Sequence, residues 1–145
     1  MYEAYREYFA FMEQLGRLLD RLTELAKEKT AAVRRDDLLA VDNCMKQEQA
    51  LSLSLRAMDK KREALLADMG LQDVSLSELA QNYPEELRHE AREAAETLRT
   101  RYELYRSASD VARTTLECTL HQIEKLLVDE ADAPMNGGTI ADIRA

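Results

Sequence analysis

Tryptophan is absent from this chain, and glycine (four), proline (two), cysteine (two), histidine (two) and phenylalanine (two) are all scarce among its 145 residues. Each shortage excludes something. So few chain breakers, with almost no β-type alternation, argue against a turn-rich β fold. Two histidines leave little for acid–base catalysis. Glu86 and His89 have the Glu-x-x-His spacing of di-iron bundles, but such sites need that motif on two helices and further glutamates from two others, and no second copy exists. Cys118 and His121 are only two ligands, too few for a metal. Gly137-Gly138 has no strand before it and no Lys-Ser after it, so it is a linker and not a phosphate loop. With no nucleophile placed on a strained turn either, the expectation is a protein without enzymatic activity, cofactor or metal.

Long apolar runs are also missing. None approaches the ~18–20 residues of a membrane span, so no direct membrane insertion is expected. Met1-Tyr2-Glu3 begins a segment with acids through its first turns, unlike a secretory signal. Cys44 and Cys118 lie far apart on predicted helices and are expected to be reduced thiols. A cytoplasmic protein follows as the default. Basic residues are outnumbered, 20 against 28 acidic, for a net charge of −8. The densest basic spots, Arg34-Arg35 and Lys60-Lys61-Arg62, are flanked by Asp36, Asp37, Asp59 and Glu63, so nucleic acid is not an expected partner.

What the chain does have is heptad spacing. Tyr5, Tyr8, Met12, Leu15, Leu19, Leu22, Ala26, Lys29 and Val33 form one line. Val41, Cys44, Glu48, Leu51, Leu55, Met58, Arg62, Leu65 and Met69 form a second. Such 4-3 repeats predict long helices that bury a narrow stripe against partner helices. The fold class is therefore all-α: an elongated antiparallel up-and-down bundle, or coiled coil, of three long helices with a short helical connector. Elongated bundles have surface but little cavity, which favours a binding protein.

The first helix should span about 2–33, with Gly16 costing about 1 kcal/mol inside it relative to Ala. Arg34-Arg35-Asp36-Asp37 breaks the register, and Asp36 or Asp37 suits an N-cap for the next helix. A tight turn is favoured over one continuous helix with a register shift, because a lone helix of nearly 70 residues is rare outside fibrous proteins. The second helix should span about 38–69, with Gly70 at the position that takes positive φ. The connector, 71–83, contains the capping-box pattern Ser75-Leu76-Ser77-Glu78. Pro84, Glu85 and Glu86 suit a helix start. The third helix should span about 85–129, its stripe running Leu87, Ala91, Ala94, Leu98, Tyr102, Tyr105, Ser109, Ala112, Leu116, Ile123 and Leu127. Leu120 and Leu126 widen its C-terminal half beyond what one partner helix requires. Residues 1–130 thus form the bundle and 131–145 a flexible tail, in which Ile140 and Ile143 could share one face of a short turn.

Two polar positions interrupt the second stripe. If the second and third helices pair antiparallel, Glu48 comes near Arg101 or Arg106, either to set register or to hold a contact for a partner. Tyr2, Tyr5, Tyr8, Phe9 and Phe11 crowd the start of the first helix, and Tyr102 and Tyr105 the middle of the third. They read as core filling or as an interface.

One stretch has a family likeness. Leu25-Ala26-Lys27-Glu28-Lys29-Thr30-Ala31-Ala32-Val33-Arg34-Arg35-Asp36-Asp37-Leu38 is a helix ending in an acidic turn. It is followed by Lys46-Gln47-Glu48-Gln49-Ala50-Leu51 and by Lys61-Arg62-Glu63-Ala64-Leu65-Leu66-Ala67-Asp68-Met69-Gly70. The pattern resembles the FlgN family of flagellar type III export chaperones. The resemblance implies a cytoplasmic, non-enzymatic protein. Its partners would be the C-terminal helical segments of flagellar hook–filament junction proteins, kept from early assembly and delivered to export gate components at the membrane. It also implies client contacts in the C-terminal half, here Leu116, Leu120, Ile123, Leu127, Ile140 and Ile143. The competing reading is a structural coiled-coil adaptor that self-associates through the same stripe.

Overall fold

The computed structural model describes residues 2–132. Three long helices dominate: α1 (Glu3–Arg34), α2 (Leu38–Asp68) and α4 (Glu85–Asp132). A one-turn α3 (Leu76–Leu79) and a 3-10 turn (Ala80–Asn82) make the connector. There is no strand among the described residues. The all-α bundle expected from the heptads is what forms.

Both sharp turns use one device. At the end of α1, Asp37 N donates to Ala32 O (2.9 Å) and Asp36 N to Val33 O (3.1 Å). Asp36 takes φ 58°. This is a Schellman closure with an aspartate where glycine is usual. Asp37 then caps α2, its Oδ1 accepting from Ala40 N at 3.1 Å. At the end of α2, Leu71 N donates to Leu66 O (2.8 Å) and Gly70 N to Ala67 O (3.0 Å). Here Gly70 supplies φ 72°. The turn at 34–37 therefore reverses the chain and does not merely bend it.

α1 lies between the other two helices. α2 runs antiparallel to it: Val41 packs near Val33 beside the turn, and Leu65 and Leu66 share a cluster with Tyr8 and Met12 at the far end. α4 runs parallel to α1. The Tyr2 hydroxyl donates to Glu86 Oε2 (2.8 Å) at one end, and Leu116 packs against Ala32 and Val33 at the other. Midway, Arg101 of α4 reaches Glu13 and Asp20 of α1, each at 3.4 Å. Gly16 makes room for this crossing: a Cβ there would meet the Arg101 guanidinium and sit 3.0 Å from its Cδ. The residue that weakens α1 as an isolated helix is the one that lets α4 lie down on it.

Because α1 serves two neighbours, it buries more than its expected stripe. Phe11, Leu25 and Ala32 are buried as fully as Tyr8 and Leu19. By contrast, no Cα of α2 comes within 8 Å of a Cα of α4. The expected approach of Glu48 to Arg101 or Arg106 therefore does not occur. Glu48 instead takes Lys29 of α1, whose Nζ lies 2.9 Å from Oε1 and donates to Oε2 at 3.2 Å. Both side chains are largely buried, so this pair fixes the α1–α2 register.

The aromatic residues at the start of α1 fill the core. Tyr5 and Phe9 pack on Tyr83, with ring centroids 4.8 and 5.3 Å away. Tyr83 is almost fully buried, and its hydroxyl has no hydrogen-bond partner among the described residues. Burial, with Tyr8 and Tyr5 nearby, pushes its phenol well above the ordinary range.

Candidate partner-binding site

α4 is 48 residues long against 32 for α1. Since the two start level and run parallel, α4 must overrun the bundle. Leu116 marks the edge: it is half-buried against Ala32, Val33 and Val41. Beyond it, every residue from Glu117 to Glu130 except Thr119 is exposed. The overhang, 117–132, is about 24 Å of helix at 1.5 Å per residue.

Its surface is unusual for a solvated helix. Leu120, Ile123 and Leu127 follow a 3-4 spacing and share one face. Leu126 widens that face on one side and Val128 lies past Glu124 on the other, and the five side chains are 49% to 64% exposed. Glu117, Glu124, Asp129 and Glu130 flank the stripe, with Lys125 and His121 as the basic or titratable exceptions. An exposed apolar patch with a charged border is the usual mark of an interaction surface.

Of the expected contact residues, Leu120, Ile123 and Leu127 are thus displayed together on the overhang. Leu116 stands at its root with most of its surface already used in the fold. Ile140 and Ile143 lie outside the described residues, as does the expected tail from 133 onward.

Two further features went unread in the sequence. Leu38 and Leu39 are each 79% exposed at the head of α2. They directly precede Ala40 and Val41, which belong with Leu116 to the cluster around Ala32 and Val33, so they stand near the foot of the overhang. An apolar pair immediately after an N-cap aspartate was the available signal. The second feature is a cleft of about 690 Å3 between α2 and α4, floored by Phe11, Leu15 and Leu19 of α1. Leu55 and Met58 wall it on one side, Tyr102 and Tyr105 on the other. No residue of α2 between Cys44 and Leu65 is fully buried, although the heptad continues through them.

The remaining polar groups form no reactive cluster. Glu86 accepts from Tyr2, which holds its carboxyl below the ordinary carboxylate value. His89, three residues on, lies 3.2 Å from Glu93 instead. Among the described residues, no three His, Cys, Asp or Glu side chains gather where they could hold a metal. Cys44 is buried and Cys118 exposed, and both are free thiols. Burial and the nearby Glu28 and Glu48 push the Cys44 thiol up, which makes it a poor nucleophile. Arg62 faces the buried Tyr8 phenol, offsetting part of the rise that burial causes there. Among the described residues no helix is long and apolar enough to cross a membrane.

Searches among curated proteins and among solved structures found no match. The model of the FlgN protein family matches residues 1–128, from the start of α1 to the exposed stripe of α4. The chain therefore belongs to the FlgN family, whose members are known as flagellar export chaperones.

Proposed function

We propose that this protein is a cytoplasmic, non-enzymatic chaperone that binds the C-terminal helical segments of flagellar hook–filament junction proteins. It keeps them from assembling early and hands them to the type III export gate. The observation that carries this reading is the unpartnered apolar stripe on the α4 overhang. A client helix docks its own apolar face along Leu120, Ile123 and Leu127, with Leu116 at the root and Leu38 and Leu39 bracing the corner. Ile140 and Ile143 of the last segment add area over the docked helix.

The magnitudes suit a transient complex. Full burial of a Leu or Ile contributes about 1.5–3 kcal/mol, and these are already about half covered. Several such residues give a gross gain of several kcal/mol, from which the cost of association is subtracted. Micromolar affinity is the expected scale, loose enough for the gate to strip the client.

Calorimetric titration with peptides from the C-terminal ends of hook–filament junction proteins tests the reading. The full chain should bind. Deleting Pro134–Ala145, or combining Leu120→Asp with Ile123→Asp, should weaken binding at least tenfold while the helical content is unchanged. Unchanged affinity in both variants overturns the site. No binding by the folded full chain overturns the chaperone assignment, and light scattering would then test for the self-associated adaptor.

A further inference from the structure

Among the described residues, the bundle leaves one corner unfilled. α2 and α4 both pack on α1 and contribute to the same side-chain clusters, Val41 and Leu116 to the one at the turn end, but no Cα pair between them lies within 8 Å. That is the relation of diagonal helices in a four-helix bundle, where each touches two neighbours and not the helix opposite. α1 is one corner and the cleft occupies the place of the fourth. Its floor is apolar and deep: Phe11, Leu19 and Leu98 are buried beneath it. Its walls offer the half-buried Leu55 and Met58 against Tyr102 and Tyr105.

The rim has a sign opposite to that of the chain. Arg56, Arg62 and Arg99 border the cleft against one acid, Asp59. Asp59 is engaged with Arg62 at 3.4 Å. Arg56 and Arg99 are exposed and make no ion pair with any described residue. In a chain of net charge −8, two unpaired arginines on either lip of an apolar groove favour an occupant with negative flanks.

We propose that this cleft is a second docking site, separate from the overhang, for an amphipathic helix of a partner protein that is apolar on one face and acidic along its edges. The seat spans Leu55–Arg62 on α2 and Leu98–Tyr105 on α4, about 12 Å or two helical turns. Its own C-terminal segment is poorly placed to fill it. Residues 133–145 begin about 40 Å of helix beyond Tyr105. Ile140 and Ile143 lie eight and eleven residues past Asp132, about 28 and 38 Å at full extension, so neither spans that distance. A second copy is disfavoured by the repulsion between two chains of charge −8.

The test is fluorescence anisotropy on the full-length protein with a labelled 18-residue helical peptide carrying a leucine stripe and glutamate flanks, against the same peptide with lysine flanks. The glutamate peptide should bind at least tenfold more tightly. Combining Arg56→Glu with Arg99→Glu should abolish or reverse that preference, and Leu55→Asp should weaken the glutamate peptide at least tenfold. Combining Leu120→Asp with Ile123→Asp should leave the preference unchanged, which separates this site from the overhang. The arginines are exposed, so their reversal should not move the thermal midpoint. Equal affinity for the two peptides, or loss only in the overhang variant, overturns the proposal. So does sedimentation of the unmodified protein as a dimer that the arginine reversals dissociate, since the cleft would then hold a second copy. Failure of the junction-protein peptides in calorimetry leaves this result standing, because it is read with a peptide of defined chemistry.

Discussion

The two ends of α4 follow one periodicity and meet opposite fates. From Leu87 to Ala112 the stripe lies on α1, with Leu87, Ala91, Leu98 and Ala112 buried. From Leu120 to Val128 the same helix carries larger apolar residues, and none of the described residues covers them. Alanine in the first half lets α1 come close, whereas leucine and isoleucine in the second half stand exposed. Apolar spacing specifies that a face will be buried, not that the chain itself supplies the partner.

The sharpest way to break this comparison is one substitution made twice on the same helix. Leu98→Ala should cost about 2–3 kcal/mol, because a buried side chain at the cleft floor loses its contacts with α1. Leu120→Ala should change stability by less than about 0.5 kcal/mol, since a half-exposed side chain is lost and alanine is a better helix former. Urea unfolding of both variants checks this. A large loss for Leu120→Ala would mean that the overhang is covered in solution, with self-association the first cause to examine.

Much of this architecture was legible in the chain. The three helices, the reversal at 34–37, Gly70 and the excess apolar width near Leu120 follow from spacing and breakers alone. What could not be read was which helix lies between which. Periodicity marks faces, and the choice of neighbour depends on contacts between residues far apart in sequence. For that reason the spacing points Glu48 at an arginine of the third helix, whereas in the fold it holds Lys29. The same gap hid the cleft: the heptad through Leu51, Leu55 and Met58 implies a covered face, and among the described helices α2 packs only on α1. Gly16 looked like a defect until Arg101 was seen to need its space.

A smaller effect sits in the packed end of the molecule. Tyr83 buries its hydroxyl with no hydrogen-bond partner among the described residues. Tyr83→Phe removes an unsatisfied polar group while keeping the ring against Tyr5 and Phe9, and should stabilise the protein by roughly 1 kcal/mol. The pH dependence follows from the direction of the shift. The folded-state pKa of Tyr83 is raised above its ordinary value of 10.0, so the neutral form is the one the fold holds. Its contribution is complete below pH 10.0 and is lost as pH rises beyond it toward the folded-state value. Tyr8 shifts in the same direction. Alkaline titration followed by circular dichroism should therefore show unfolding setting in above pH 10, less steeply in Tyr83→Phe. Equal alkaline profiles would mean that the phenol reaches solvent.

The finest comparison is between the two turns, which share one geometry and differ in the residue that bears positive φ. Asp36 adopts φ 58° with a Cβ, and Gly70 adopts φ 72° without one. A left-handed conformation costs a residue with a side chain roughly 1–2 kcal/mol. Replacing Asp36 by Gly removes that cost but gives the unfolded chain more freedom, worth about 0.4–1 kcal/mol the other way. The net expected gain is about 0.5 kcal/mol, with Asp37 still capping α2. Gly70→Ala is the converse. Nothing lies within 4 Å of a Cβ built there, so only the backbone conformation opposes it. It should cost about 0.5–1 kcal/mol after the entropy gain in the unfolded chain is counted. Opposite signs in the two urea midpoints would show that positive φ governs both ends of α2. A loss in Asp36→Gly would mean instead that the Asp36 carboxylate stabilises the turn, through the amide dipoles at the head of α2, by more than its conformation costs.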